Sequence, residues 1–331
     1  MRALRPLGAL TCVLGLLVAA QGIAMAQGTA RYPVRPLRMI VPFGPGGAGD
    51  FVARVLQPAL SDALGQQVIV ENRAGANGNV GVEVAINATP DGHVFLLGNI
   101  GAIAINPNAM PGVTIKPLRD LVAVTQVVDV PGSLIVHPSI SATTVAELTA
   151  YLKARSGQVN FGSSGGAGQN RLETELFMQH TGTRMVHIPY KGGAGQAVTA
   201  LLGNEVQLLM VTFSSAFNHV KAGRLRMIGV IAPERLPVMP EMPTLREQGL
   251  KTMVNGSWQG IYLPRNTSGD VVKRLFDSTV SAVRHPEVAR RLSDGGVTPL
   301  VSASPKAFQE FTTAETERFG RLIKDAKLDL E

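Results

Sequence analysis

The sequence predicts an α/β protein of two domains, each a mostly parallel sheet flanked by helices. Three observations carry that reading. The 331 residues exceed the roughly 250 at which one hydrophobic core usually stops growing. With 45% hydrophobic and 17% charged residues, the chain is not a disordered polymer, a collagen-like repeat or a disulfide-stapled miniprotein. Third, a strand, a glycine loop and a helix recur along the chain in two equivalent pairs, the alternation that builds parallel sheets covered by helices.

The first 26 residues read as a cleaved export signal: Arg2 and Arg5 start it, Leu7 to Ala20 is apolar, and Ala24-Met25-Ala26 gives the small-x-small cleavage pattern. The apolar stretch is shorter than the about 20 residues a spanning helix needs. Cys12, the one cysteine, lies inside this segment, so the mature chain has no disulfide or thiol chemistry. Thr11, directly before it, is a poor context for lipid attachment. A soluble periplasmic protein is the expectation. Removing Arg2 and Arg5 takes the formal charge from +7 to +5. Without charge runs or many aromatics, that balance argues against a nucleic-acid partner and fits attraction for small anions. No later segment is apolar for long enough to cross a bilayer.

In the first half, the strand-like run Leu37 to Phe43 ends in Gly44-Pro45-Gly46-Gly47-Ala48-Gly49-Asp50, and Val52, Val55, Leu56, Ala59, Leu60 and Ala63 follow at helical spacing. Pro58 is expected to kink or shorten that helix. A second strand, Val68 to Glu71, enters Gly75-Ala76-Asn77-Gly78-Asn79, then a helix to Ala88, the turn Pro90-Asp91-Gly92 and a strand from Val94 to Leu97. The second half repeats the plan. Val159-Asn160-Phe161 enters Gly162 to Gly168 and a helix closing near Gly182; Met185 to Pro189 enters Tyr190 to Gly195, a helix through Leu202 and a strand from Val206 to Val211.

Between the halves, Val127 to Val136 around Pro131-Gly132, and Gln259 to Leu263 after Asn255-Gly256-Ser257, read as hinge crossings. Residues 27–130 with 257–331 are the expected first domain and 131–256 the second. Helices are predicted over Val271 to Val283, over Pro286 to Leu292 and from Pro305 onward, the last returning to the first domain. Thr144 and Glu147 form a capping box for a structural helix.

A glycine loop between strand and helix brings backbone close to a ligand and aims the unpaired N–H groups of the helix start at one spot, where anions bind. Each loop taken singly also reads as an ordinary turn. As a set, they favour a carboxylate- or phosphate-sized anion held by backbone donors with Ser163, Ser164, Asn77 and Thr212, solvent being excluded by domain closure. Asp50 caps the helix after its loop or accepts from a ligand amine or hydroxyl. Trp258, the one tryptophan, caps the cleft or anchors the core.

Two stretches match enzyme motifs. Gly44, Gly46 and Gly49, with Glu71 at the next strand end, fit a dinucleotide site and make an NAD-dependent Rossmann enzyme, exported or mislocalised, the alternative reading. Export, the stiff Pro45 and the matching plan in the other half oppose it. Gly162-x-Ser164-x-Gly166, with Asp270 or Asp277 and His285, suggests a serine hydrolase, but Ala167-Gly168-Gln169 intervene before the helix and no oxyanion motif is present. The histidines show no ligand spacing, so no metal and no cofactor is assigned.

Tyr32-Pro33, Ile40-Val41-Pro42-Phe43, Pro45-Gly46-Gly47 with Asp50, Val70-Glu71-Asn72-Arg73, Pro90-Asp91-Gly92, Glu175-Leu176-Phe177, Pro189-Tyr190-Lys191-Gly192, Gly223-Arg224-Leu225-Arg226 and Met242-Pro243-Thr244 together resemble the periplasmic solute receptors of tripartite tricarboxylate transporters, the Bug or TctC-type proteins. The resemblance spans nearly the whole mature chain. It implies a two-domain periplasmic-binding-protein, or Venus flytrap, fold that closes on a small carboxylate and presents it to membrane permease subunits, one large and one small. Catalysis is not implied, and a monomer is expected. The ligand would sit among Phe43, Gly46, Gly47 and Asp50 of the first loop, Ala76 and Asn77 of the second, Asn99, the Ser163-Ser164-Gly165-Gly166 loop, Tyr190 and Thr212. Arg171 and Ala167 depart from the family pattern, and Arg171 either adds a bidentate carboxylate contact or faces solvent.

Overall fold

The structure is a computed structural model that describes residues 32–110, 114–165, 168–190, 193–251, 253 and 256–325. The expected export signal, Gly166 and the Lys191-Gly192 pair lie outside the described residues. Strand β1 (Leu37–Val41) leads into helix α1 (Ala48–Leu64), β2 (Val68–Asn72), α2 (Asn79–Ile86) and β3 (Val94–Asn99). A π-helical turn, Gly101–Ile105, and single-turn helices at Asn106–Ala109 and Pro117–Asp120 precede β4 (Leu121–Val130) and β5 (Gly132–Val136). Then come α3 (Val145–Ala154), β6 (Asn160–Ser163), α4 (Gln169–Thr181), β7 (Val186–Pro189), α5 (Ala194–Leu202), β8 (Leu208–Thr212), α6 (Phe213–Lys221) and β9 (Arg226–Ile231). The chain ends through β10 (Ser257–Pro264), α7 (Gly269–Arg284), α8 (Pro286–Asp294), β11 (Thr298–Pro299) and α9 (Pro305–Asp325).

Two sheets result, ordered β11-β4-β10-β3-β1-β2 and β7-β6-β8-β5-β9. The strands that feed glycine loops pair in parallel, β1 with β2 and β3, and β6 with β7 and β8. The expectation of mostly parallel sheets fails at the crossing strands. Strand β10 runs antiparallel to β3 and β4, and β5 antiparallel to β8 and β9. These strands enter from the opposite sheet without a helical crossover, so nothing forces them into the parallel sense. Strands β4 and β5 belong to different sheets and are separated by Pro131 alone, and β10 brings the chain back at Ser257. There the backbones touch. A Cβ on Gly256 would stand 2.8 Å from both Pro131 Cα and Gly132 N.

Helix α1 buries Val52, Val55, Leu56, Leu60 and Leu64 at helical spacing, and ends where Gly65 takes φ 70°. Pro58 does not shorten it, as the helix continues to Leu64. Pro58 and Arg54 are both exposed, so the Arg54 carbonyl that loses its donor faces water. Helix α3 starts as expected, with Thr144 Oγ1 accepting from Glu147 N at 3.2 Å. The return contact differs, because the Glu147 carboxylate accepts from Thr143 N at 2.7 Å. Trp258 is a core anchor, 2% exposed, its ring edge-on to Phe308 and Phe311 of α9 and its Nε1 donating to Glu315. Through this packing α9 covers the first sheet.

Candidate functional site

The first loop is fixed by its own side chains. Asp50 accepts from the Gly46 amide at 3.3 Å and from Arg54 Nε at 3.0 Å, while Asn72 Nδ2 donates to Phe43 O at 2.9 Å. Burial works to raise the Asp50 carboxyl, but Arg54, the Gly46 amide and Asn72 outweigh it and hold it below the usual range. In the second loop Ala76 and Asn77 take φ of 45° and 54°, a conformation that costs an L-residue energy. Asn106 Nδ2 holds it there, donating to Asn77 O at 2.9 Å and to Asn79 Oδ1 at 2.8 Å. Asn99 Oδ1 accepts from Ala102 N at 3.0 Å and ties β3 to the π-helical turn.

In the second half the two loop serines part company. Ser163 is fully buried, and its hydroxyl joins Gly165 O at 2.7 Å and His187 Nε2 at 2.6 Å. Burial, and then Arg171, push His187 down to about 4, so it is neutral near pH 7. Ser164 instead lines the cleft, donating from both N and Oγ to Asn170 Oδ1 at 3.1 and 3.0 Å.

Four helices begin at this cleft: α1 after Gly47, α4 after Gly168, α5 after Gly193 and α6 after Thr212, none capped by the side chain of the residue before it. Unbonded first-turn N–H groups carry the positive end of the helix dipole. Of the helices that begin elsewhere, three are capped, α3 by Thr144, α7 by Ser268 and α9 by Ser304, while α2, after Gly78, is not. Helix α8 begins at Pro286, which has no N–H. Polar neutral side chains complete the cleft wall, among them Asn77, Asn99, Asn106, Gln169, Asn170 and Gln259. One acid joins them. Glu173, whose carboxyl burial pushes up to about 7 against the hydrogen bond from Gln169, lines the cleft from α4.

The two halves touch around this space. A Cβ on Gly165 would collide with the Asn77 amide, one on Gly195 would stand 2.9 Å from Pro45 O, and one on Gly193 would stand 3.4 Å from the Phe43 ring. Glycine is required at Gly165 on a second count, its φ of 136°.

Of the residues singled out in the sequence, Phe43, Gly47, Asn77, Asn99, Ser164 and Thr212 line the cleft together. Gly46 and Tyr190 line an adjoining groove, and Gly46 and Asp50 a cavity beside α1 and α6. Ala76 shapes the second loop from outside the cleft wall. Gly165 borders Asn77, and Gly166 is outside the described residues. Ser163 and Arg171 are not part of the wall: Ser163 is buried behind it, and Arg171 pairs with Glu175 at 3.5 Å. Asn106, Gln169, Asn170, Glu173 and Gln259 were not anticipated. The helical spacing from Gln169 to Glu173 was the available signal for two of them.

The geometry does not favour the enzyme readings. Glu71 is bound by Arg38 at 2.7 Å and by Arg73, so it is not poised for a ribose. Asp277 pairs with Lys273 at 2.6 Å on the exposed face of α7, and Ser164 bonds to Asn170, not to a histidine. Among the described residues no group of three or more His, Cys, Asp and Glu side chains forms a metal site, and no helix is long and apolar enough to cross a membrane.

Residues 52–328 match the model of the tripartite tricarboxylate transporter family receptors. The chain is 35% identical to the protein BugT of Bordetella pertussis over 97% of this chain and 98% of that one. Among solved structures it is similar to the periplasmic binding protein BugD, at 29% identity and TM-score 0.85, covering 89% of this chain and 99% of that one. Two Rhodopseudomonas palustris proteins were solved with ligands. MatC with bound malate is 26% identical, with TM-score 0.83 and coverage of 88% and 100%. Rpa4515 with adipate is 28% identical, with TM-score 0.86 and coverage of 89% and 98%.

Proposed function

The chain belongs to the tripartite tricarboxylate transporter receptor family, and from that premise we propose that it is a periplasmic receptor which captures a small organic anion in the cleft between its two sheets and delivers it to the permease subunits of such a transporter. The observation that carries this reading is the set of four helix starts at one cleft, each without a cap from the side chain of the residue before it. Backbone amides at these starts, with Asn77, Ser164 and Thr212, hold a carboxylate without a counter-charge from the protein. The malate and adipate of the two solved relatives are ligands of that chemistry. The two lobes, 27–130 with 257–331 and 131–256, turn about the crossings at Pro131 and Gly256, and the receptor acts as a monomer. Residues 1–26 direct its export.

Differential scanning fluorimetry against a library of organic acids, with NAD as the control, tests this. Binding to the folded cleft alone adds about 2.7 kcal/mol of stability at a hundredfold excess over Kd, so one chemical class of acid is expected to raise Tm. A shift with NAD and none with any acid would reverse the reading.

A further inference from the structure

Glu173 stands one helical turn beyond Gln169 on α4, and both side chains line the cleft. Its Oε1 accepts a single hydrogen bond, from Gln169 Nε2 at 2.8 Å. Among the described residues that line the cleft it is the one ionisable side chain, and no lysine, arginine or histidine there answers its charge. On its own helix Arg171 pairs with Glu175; elsewhere in the two lobes neutral His187 is bonded to Ser163 and Arg54 is held by Asp50.

A cleft built from helix starts attracts anions, and yet the one charge among its described lining residues is negative. Burial already penalises the Glu173 carboxylate, and a plain di- or tricarboxylate would set a further negative charge beside it. A ligand that brings its own cation removes both penalties: its carboxylate meets the amides of the helix starts, and its ammonium meets the free oxygen of Glu173. We propose that Glu173 determines specificity in this cleft, selecting small organic anions that also carry a protonated amine, so that the ligand is an amino carboxylate and not a plain polycarboxylate of the malate or adipate kind. This inference rests on the receptor reading and narrows it.

Titration calorimetry of the full receptor at pH 8 with matched pairs that differ by one amine tests it: aspartate and succinate, glutamate and glutarate, 6-aminohexanoate and hexanoate. The expected result is that an amine-bearing member binds at least about tenfold tighter than its partner. Glu173→Gln abolishes the difference, and Glu173→Asp, which keeps the charge, retains part of it. Circular dichroism and Tm of both variants establish that they fold. Equal binding within the pairs, or a preference that survives Glu173→Gln, overturns the proposal. So does binding confined to amine-free acids, in this panel or in the wider library, and that outcome leaves the receptor reading standing. No response to any carboxylate overturns both.

Discussion

Helix α3 and helix α1 share one contact, the acid three residues past the cap turning back to the amide before it, Glu147 to Thr143 and Asp50 to Gly46, and differ at the cap. At α3 the Thr144 hydroxyl takes the Glu147 amide, so the helix start is closed upon itself. At α1 the residue before the helix is Gly47, which offers no side chain, and the start opens on the cleft. Identical backbone chemistry serves architecture in one place and, in the function proposed, recognition in the other. A side-chain oxygen at one position decides which.

The largest effect is expected where the open starts of the two lobes meet. Gly195→Val places a side chain against Pro45 O, which a Cβ would already approach to 2.9 Å, and wedges the lobes apart. Ligand affinity should fall about 100-fold, which is about 2.7 kcal/mol, with the Tm of the ligand-free protein nearly unchanged. Small-angle scattering should then show no contraction on adding ligand. Full affinity in this variant would mean that the contact between the loops is not part of binding.

Converting an open start into a closed one comes next. Gly47 has φ −87° and ψ 172°, the extended conformation of a capping residue, and a Cβ there meets nothing nearer than Gly44 O at 4.0 Å. Gly47→Ser should therefore fold well and add about 0.3 kcal/mol through its new cap. Because the serine competes for the same amides, affinity should drop about tenfold by calorimetry. A variant that is both capped and fully able to bind would break the comparison drawn above.

The smallest effect belongs to the closed start. Thr144→Ala should cost about 1 kcal/mol of stability in denaturant melts while leaving ligand affinity where it was. Any change in affinity would show that the two kinds of helix start are not independent.

Much of this was legible in the sequence because it is local. Glycine after a strand and apolar residues at helical spacing announced α1, α4 and α5, and Pro131-Gly132 announced the crossing. Strand sense was not legible, since the antiparallel pairing of β10 with β3 joins residues more than 150 positions apart. Helix α6 went unseen because it follows β8 directly at Thr212, with no glycine between them. Ser163 and Ser164 show the limit at side-chain scale. Neighbours at a strand end face opposite ways, and the sequence does not tell which of them meets the cleft. Arg171 has an i,i+4 partner in Glu175 written into the chain, a local pairing that was not read from it.

The crossing at Pro131 and Gly256 has a mechanical consequence. Backbone lies against backbone there, Gly256 against Pro131 and Gly132, and Gly256 has no side chain to act as a spacer. In the closure proposed above, this contact is the axle on which the two lobes turn.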